Sequence, residues 1–289
     1  MKAAPFAYKR VHSVAEAAVL LQENGEQARV LAGGQTLLAT LAMRLSEPAL
    51  LVDITGIAEL KGISVSANRL RIGALVRHVE IERSELIARH APLLALAAPH
   101  VAHAAIRNKG TFGGSLAFAD PAAEWPACTL ALDGELAMSD GAKVRRVAAK
   151  DFFLDLYRTD LQPGELLTAV EFPLPGPDRR FAFSELARRH GDYAIVGLAM
   201  AGNVAGGTLD DLRIVYFGIG STPRRATHAE AALNGTGDSK EAAREAQAVL
   251  AQDLTPTGDL TTSAETKLHL AGVLLRRVLA SLLSEGGST

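Results

Sequence analysis

The chain has 289 residues, 48% of them hydrophobic and 21% charged, with a formal net charge of −2. That balance describes a globular protein larger than one typical core, without the excess positive charge that non-specific nucleic-acid binding needs. A single cysteine, Cys128, excludes an internal disulfide and the several thiolates of an iron–sulfur cluster or structural zinc site in this chain. The opening "MKAAPFAYKRVHSV" lacks the apolar core of a signal peptide. The late apolar run "LHLAGVLLRRVLASLL" is interrupted by Arg276 and Arg277 and is too short to span a bilayer, so a cytoplasmic protein is expected.

In chain order, "SVAEAAVLLQENG" opens on Ser13 with Glu16 three residues on, a capping box, and stops at Gly25; Ala17, Leu20 and Leu21 face inward. "ARVLAG" and "ALLVDIT" read as buried strands flanking a helix that starts near Gln35, an α/β unit. "GISVSANRLRIGAL" turns between two short strands. "GELAMSDGAKVRRVAA" carries Asp140-Gly141, the strongest hairpin signal in the chain. "ELLTAVEFPLPGPDRR" is a strand running into Pro173, Pro175, Gly176 and Pro177, the best candidate boundary. Beyond it, "FAFSELARR", "AIVGLAMAGNV" and "DLRIVYFGIG" form three strands, the last two joined at Gly206-Gly207. A helix follows around 240–253, and another starts at Thr262 with Glu265 as its capping box and runs to about Leu283. The fold class expected is mixed α/β: a domain at 1–177, with subdomains of about 1–56 and 57–177, then a small α+β domain at 178–289 with a three-stranded antiparallel sheet.

Two stretches carry chemistry. "RVLAGGQTLLATLAMRL" sets Gly33-Gly34 between a strand and a helix, and "IRNKGTFGGSLAFADPAAEWP" does the same with Gly113-Gly114. Glycine permits positive φ and, lacking Cβ, lets main-chain N–H groups approach an anion, which the start of a helix reinforces. A bare glycine turn explains either pair alone. Both are followed by polar side chains, Gln35 and Thr36 in one and Ser115 in the other. The second also has Thr111 ahead and Glu124 downstream, an acceptor for sugar hydroxyls. No G-x-G-x-x-G follows a strand, and no P-loop exists. "GGSLA" puts Ala117 where a nucleophile elbow needs glycine. His100 and His103 lack a third ligand at useful spacing, His78-Val79-Glu80 lacks the P-C-x-x-C of a zinc deaminase, and Cys128 sits in an apolar run as an inert core residue.

Taken together, "RVLAGGQTLL", "IRNKGTFGGSLAFADPAAEWPA" and "ARRHGDYAIVG" resemble the FAD-binding medium subunit of the molybdenum hydroxylases, the carbon monoxide dehydrogenase and xanthine dehydrogenase type, over nearly the whole length. The resemblance implies a PCMH-type FAD-binding fold. It implies pyrophosphate contacts from Ala32, Gly33, Gly34, Gln35 and Thr36, and from Thr111, Gly113, Gly114 and Ser115. It places Glu124 on the ribityl or ribose hydroxyls, Leu167 against the adenine, Val101 at the cofactor's border, and Tyr193 beside the flavin ring, stacking on it or gating access. Ser184, Glu185 and Leu186 stand where some relatives carry a lysine.

Also implied are partners: a large subunit holding a molybdenum cofactor and a small one holding two [2Fe–2S] clusters, in a heterohexamer. This chain would take electrons from those clusters and pass them to NAD⁺, a quinone or another acceptor. Two other classes stay open, a free-standing FAD-dependent oxidoreductase with its own substrate pocket and a nucleotide-binding regulatory protein. Solo expression separates them: a yellow and weakly active protein, turnover alone, or no flavin at all.

Overall fold

The computed structural model describes residues 2–237 and 240–284. Strand β1 (Ala7–Arg10) leads into α1 (Val14–Asn24), then β2 (Ala28–Leu31), α2 (Leu37–Ala42) and β3 (Leu50–Asp53). The three strands lie parallel in the order β1-β3-β2, which requires crossover connections, and α1 supplies one of them. Ser13 Oγ accepts the Glu16 amide at 3.1 Å. The Glu16 carboxylate accepts from His12 N–H rather than from Ser13, so only half of the expected box closes at the cap residue itself. Gly25 ends α1 with φ +50°.

A second sheet begins with β4 (Ile63–Ser66) and β5 (Arg69–Gly73), joined through Ala67 and Asn68, both at positive φ. Six short helices then intervene: α3 (His78–Arg83), α4 (Glu85–His90), α5 (Pro92–Ala97), α6 (Ala104–Arg107), α7 (Phe112–Phe118) and α8 (Glu124–Ala131). Strands β6 (Glu135–Ser139) and β7 (Val144–Ala148) make the Asp140-Gly141 hairpin. After α9 (Ala149–Phe152), β8 (Phe153–Asp155) and β9 (Arg158–Thr159) form a small ribbon, and β10 (Leu166–Pro173) enters the middle of the sheet, in the order β4-β5-β10-β6-β7.

The last third forms a third sheet of β11 (Arg179–Leu186), β12 (Val196–Ala205), β13 (Thr208–Phe217) and β14 (Arg224–Arg225). The expected three strands are therefore four, because the two-residue β14 pairs with Val215 and Tyr216. A helix not foreseen, α10 (Thr227–Leu233), precedes α11 (Lys240–Asp253) and α12 (Ala264–Leu283). The cap of α12 is Ser263, not Thr262: Asp259 Oδ1 captures the amides of Thr261 and Thr262, which holds Thr262 outside the helix.

Three apolar clusters hold these layers. The smallest packs the parallel sheet and draws Ile57, Leu60, Leu75 and Leu166 from beyond residue 56. The largest runs from Ile72, Phe112, Trp125 and Phe172 across to Ala199, Val215 and Phe217 of the third sheet. The bridging element is α8, whose eight residues are all buried. A third cluster lies between that sheet and α10, α11 and α12.

Candidate cofactor site

The two glycine pairs meet in space. A Cβ on Gly33 would fall 2.3 Å from the Lys109 carbonyl oxygen and 2.7 Å from Gly110 Cα, so the first loop lies backbone to backbone against the start of the second. A Cβ on Gly114 would point at Thr111 Oγ1 (2.7 Å) and, at 3.9 Å, at Ala32 Cβ. Gly34 has φ +71°, the left-handed region that favours glycine.

Their amides are used differently. In the second loop Gly113 N–H donates to the Ala74 carbonyl at 2.9 Å, Gly114 N–H to Thr111 Oγ1 at 3.2 Å, and Ser115 N–H to the Thr111 carbonyl at 3.1 Å. These donors are satisfied within the chain, which corrects the expectation that both loops present bare amides. In the first loop the amides of Gly34, Gln35 and Thr36 have no acceptor among the described residues, while the Gln35 side chain donates back to the Gly33 carbonyl at 2.9 Å. Three adjacent free N–H groups ahead of α2 are a donor set for a phosphate oxygen. The chain thus fits a phosphate-bearing cofactor, with the first loop donating and the second forming the wall.

That wall is braced from beneath. Thr111 bridges to Arg77, Phe112 N–H donates to the Val76 carbonyl at 2.8 Å, and His78 N–H to the Gly110 carbonyl at 3.0 Å. Trp125 Nε1 donates to His78 Nδ1 at 3.0 Å. Burial, with Arg107 adding a smaller push, lowers His78 to about 4, so its ring is neutral at pH 7 and free to accept that bond. Its Nε2 edge sits under Gly110, where a Cβ would come within 2.6 Å.

The remaining residues singled out from the sequence divide. Val101 and Leu167 are packed into the largest core cluster, and Leu167 pairs with Met138 in the sheet. Glu124, at the start of α8, is 8% exposed, and burial first and the Glu185 charge second push it up to about 8. Tyr193 is 67% exposed, on a turn that packs at Gly191 against His103 and the Ala102 carbonyl. Cys128 is fully buried and its thiol is pushed well up by burial, so it holds no thiolate.

Tyr193 opens onto a cavity of about 1280 Å³ between the β8-β9 ribbon and the β14 edge of the third sheet, walled by Asp120, Tyr157, Arg188, Gly218, Arg224 and Lys267 among others. Phe118 packs on Tyr157 with ring centroids 4.9 Å apart. The buried Lys267 donates to the Gly218 carbonyl at 3.1 Å and pairs with Asp259 at 2.9 Å, pinning α12 to the far wall. None of the glycine-loop residues lines this space. Helix α7 connects the two places, running from Thr111 at the loops towards Asp120 at the cavity edge. No local pattern marks Tyr157, Asp120 or Lys267, whose meeting depends on segments far apart in the chain.

Residues 4–175 match the family model described as the FAD binding domain in molybdopterin dehydrogenase, and residues 181–282 match the CO dehydrogenase flavoprotein C-terminal domain. The 6-hydroxypseudooxynicotine dehydrogenase complex subunit alpha of Paenarthrobacter nicotinovorans is 38% identical over 100% of this chain and 98% of its own. The carbon monoxide dehydrogenase medium chain of Afipia carboxidovorans is 35% identical, covering 95% of each. Among solved structures, quinoline 2-oxidoreductase from Pseudomonas putida 86 superposes with a TM-score of 0.93 at 37% identity over 98% of both chains. On these matches and this fold, the chain belongs to the family of FAD-binding medium subunits of the molybdenum hydroxylases.

Proposed function

We propose that this chain binds FAD and serves as the electron-transfer subunit of a molybdenum-containing hydroxylase or dehydrogenase. FAD, when bound, accepts and releases electrons singly or in pairs, so the chain's own task is to bind, orient and shield it. The observation that carries this reading is the convergence of Gly33-Gly34 on Gly110 and Gly114 beside three amides without an acceptor. In this arrangement Gly34, Gln35 and Thr36 donate to the pyrophosphate, Ser115 adds its hydroxyl, and Ala32, Thr111, Gly113 and Gly114 shape the wall. Glu124 takes ribityl or ribose hydroxyls, Val101 and Leu167 give the apolar border, and Tyr193 lies over the flavin ring at the mouth of the cavity. A chain divided near residue 177, with a further division near 56, leaves that ring between its two domains.

The electrons come from the [2Fe–2S] clusters of a small partner subunit and leave to an external acceptor, and a large subunit holds the molybdenum cofactor. Relatives named for carbon monoxide and for quinoline share this fold, so substrate choice lies outside it. Among the described residues no helix is long and apolar enough to cross a membrane; we assign the assembly to the cytoplasm. Expression of the chain alone tests the reading. A yellow protein with stoichiometric FAD and little turnover is expected. Turnover alone with an organic substrate would favour a free-standing oxidoreductase, and colourless protein that takes up no FAD would sink the assignment.

A further inference from the structure

Tyr193 stands on the link from β11 to β12, residues 187–195, and its side chain makes no hydrogen bond or ring contact among the described residues. What holds the link therefore sets where the phenol stands. Two backbone bonds close it, Asp192 N–H to the Arg189 carbonyl at 3.1 Å and Ile195 N–H to the Leu186 carbonyl at 2.8 Å. Its tip rests on a second segment, residues 98–103. Gly191, at φ +85°, lies so near that a Cβ would fall 2.6 Å from His103 Nδ1 and 3.1 Å from the Ala102 carbonyl oxygen. His190 stacks on His100 with centroids 6.1 Å apart. His100 in turn packs on Phe183 of β11, and its Nδ1 is 3.4 Å from Glu185 Oε1.

This seat contains little regular structure of its own, a single helical turn at Ala98–His100. Ala102 has φ +46°, a conformation that residues with a Cβ rarely adopt. What gathers the segment is one guanidinium. Arg107 Nη1 donates to the Ala102 carbonyl at 2.9 Å, to Val101 at 3.3 Å and to Pro99 at 3.4 Å. The other edge of the same group is held by Glu82 of α3, with Nε on Oε2 at 2.9 Å and Nη2 on Oε1 at 3.4 Å. The Arg107 side chain is 12% exposed. A planar fork with five donors serves a carboxylate and a row of carbonyls at once, and a lysine ammonium does not.

We propose that Arg107 is a positioning residue for Tyr193: by gathering the carbonyls of residues 99–102 it fixes the seat under the link. Arg107 acts through Ala102, His103 and Gly191, and touches no reacting atom. That Tyr193 stands over the flavin ring rests on the FAD reading above, whereas the seat is a property of this chain alone.

The test uses the full-length chain, first without cofactor. Trypsin cuts after Arg188 and Arg189, both exposed on the link, and after the exposed Lys143 of the distant Asp140-Gly141 hairpin. In Arg107→Lys, nicking at the link is expected to become about tenfold faster relative to Lys143, because cleavage follows the population of the opened segment. A role in general stability would speed both sites together. Gly191→Ala lifts the link off its seat with Arg107 intact and is expected to act alike. FAD-loaded protein, with FAD content measured, is then reduced with dithionite and reoxidised by dioxygen. Arg107→Lys is expected to shift that rate in the direction of Tyr193→Ala. The double variant should differ little from Tyr193→Ala, because both changes act on one side chain. If Arg107→Lys does not fold, Gly191→Ala carries both comparisons. Unchanged relative nicking in the variants, or reoxidation effects that simply add, overturns the proposal. If the wild type retains no FAD, the flavin reading fails, and the nicking comparison still decides the seat.

Discussion

Gly33-Gly34 and Gly113-Gly114 each follow an extended segment and open a short helix, yet their amides have different fates. Every N–H from Gly113 to Ser115 is returned to Ala74 or Thr111, whereas Gly34, Gln35 and Thr36 donate to nothing among the described residues. The first pair is a donor, and the second is a fitted surface that lets the donor approach. A glycine pair therefore signals closeness of backbones, and only the hydrogen-bond inventory around it tells whether an anion or the protein itself receives the amides.

The largest effect is expected from Gly33→Ala, because the new methyl would collide with the Lys109 carbonyl, which cannot swing aside as a side chain could. Losing two charge-assisted amide bonds at about 1.5–3 kcal/mol each weakens FAD binding by roughly 100-fold or more. Equilibrium dialysis of the refolded variant checks this, and unaltered affinity would mean that the loops need not touch. Thr111→Val sharpens the comparison from the other side. It removes the acceptor for Gly114 N–H, a cap worth about 1 kcal/mol, so the apoprotein should lose that much stability and FAD affinity should fall about tenfold, far less than for Gly33→Ala.

A pH effect tests the acidic residue below the loops. Burial and the Glu185 charge push Glu124 up to about 8 in the folded protein, against 4.5 for an ordinary glutamate, so the folded apoprotein binds more protons than the unfolded chain between those values. Its contribution is fully present below about 4.5 and is lost as pH rises through 8. Glu124→Gln should therefore raise the apoprotein Tm at pH 8 and leave it nearly level with wild type at pH 4.5. A difference independent of pH would remove the raised carboxyl from the account. The smallest change in affinity is expected for Tyr193→Ala. That side chain is two-thirds exposed, so FAD retention should stay within about twofold while the rate of flavin reoxidation changes. Identical reoxidation traces would take Tyr193 away from the ring.

Local signals in the sequence served the edges of the fold well. Ser13, Gly25, Asp140-Gly141 and Gly206-Gly207 act within a few residues of themselves, and the structure places a cap, a stop and two turns there. The region from His78 to Ala131 offered much less, because its helices are short and α8 is buried on every side, which leaves no polar face to set a period. Competition between neighbours caused the one-residue error at α12: Thr262 and Glu265 have the right spacing, but Asp259 takes the Thr262 amide and Ser263 inherits the cap.

By itself the sequence determined that two glycine pairs lie in strand-to-helix turns, that no thiolate cluster can form around one cysteine, and that polar side chains follow each pair. Those are statements about residue chemistry and short-range sterics, which need no partner from elsewhere in the chain. Tertiary structure alone decided which amides stay free, since Ala74 stands opposite Gly113 only once β5 and α7 have packed. It also decided that burial and the charge of Glu185 act on Glu124, because desolvation and charge coupling depend on distance in space, and no spacing along the chain encodes it.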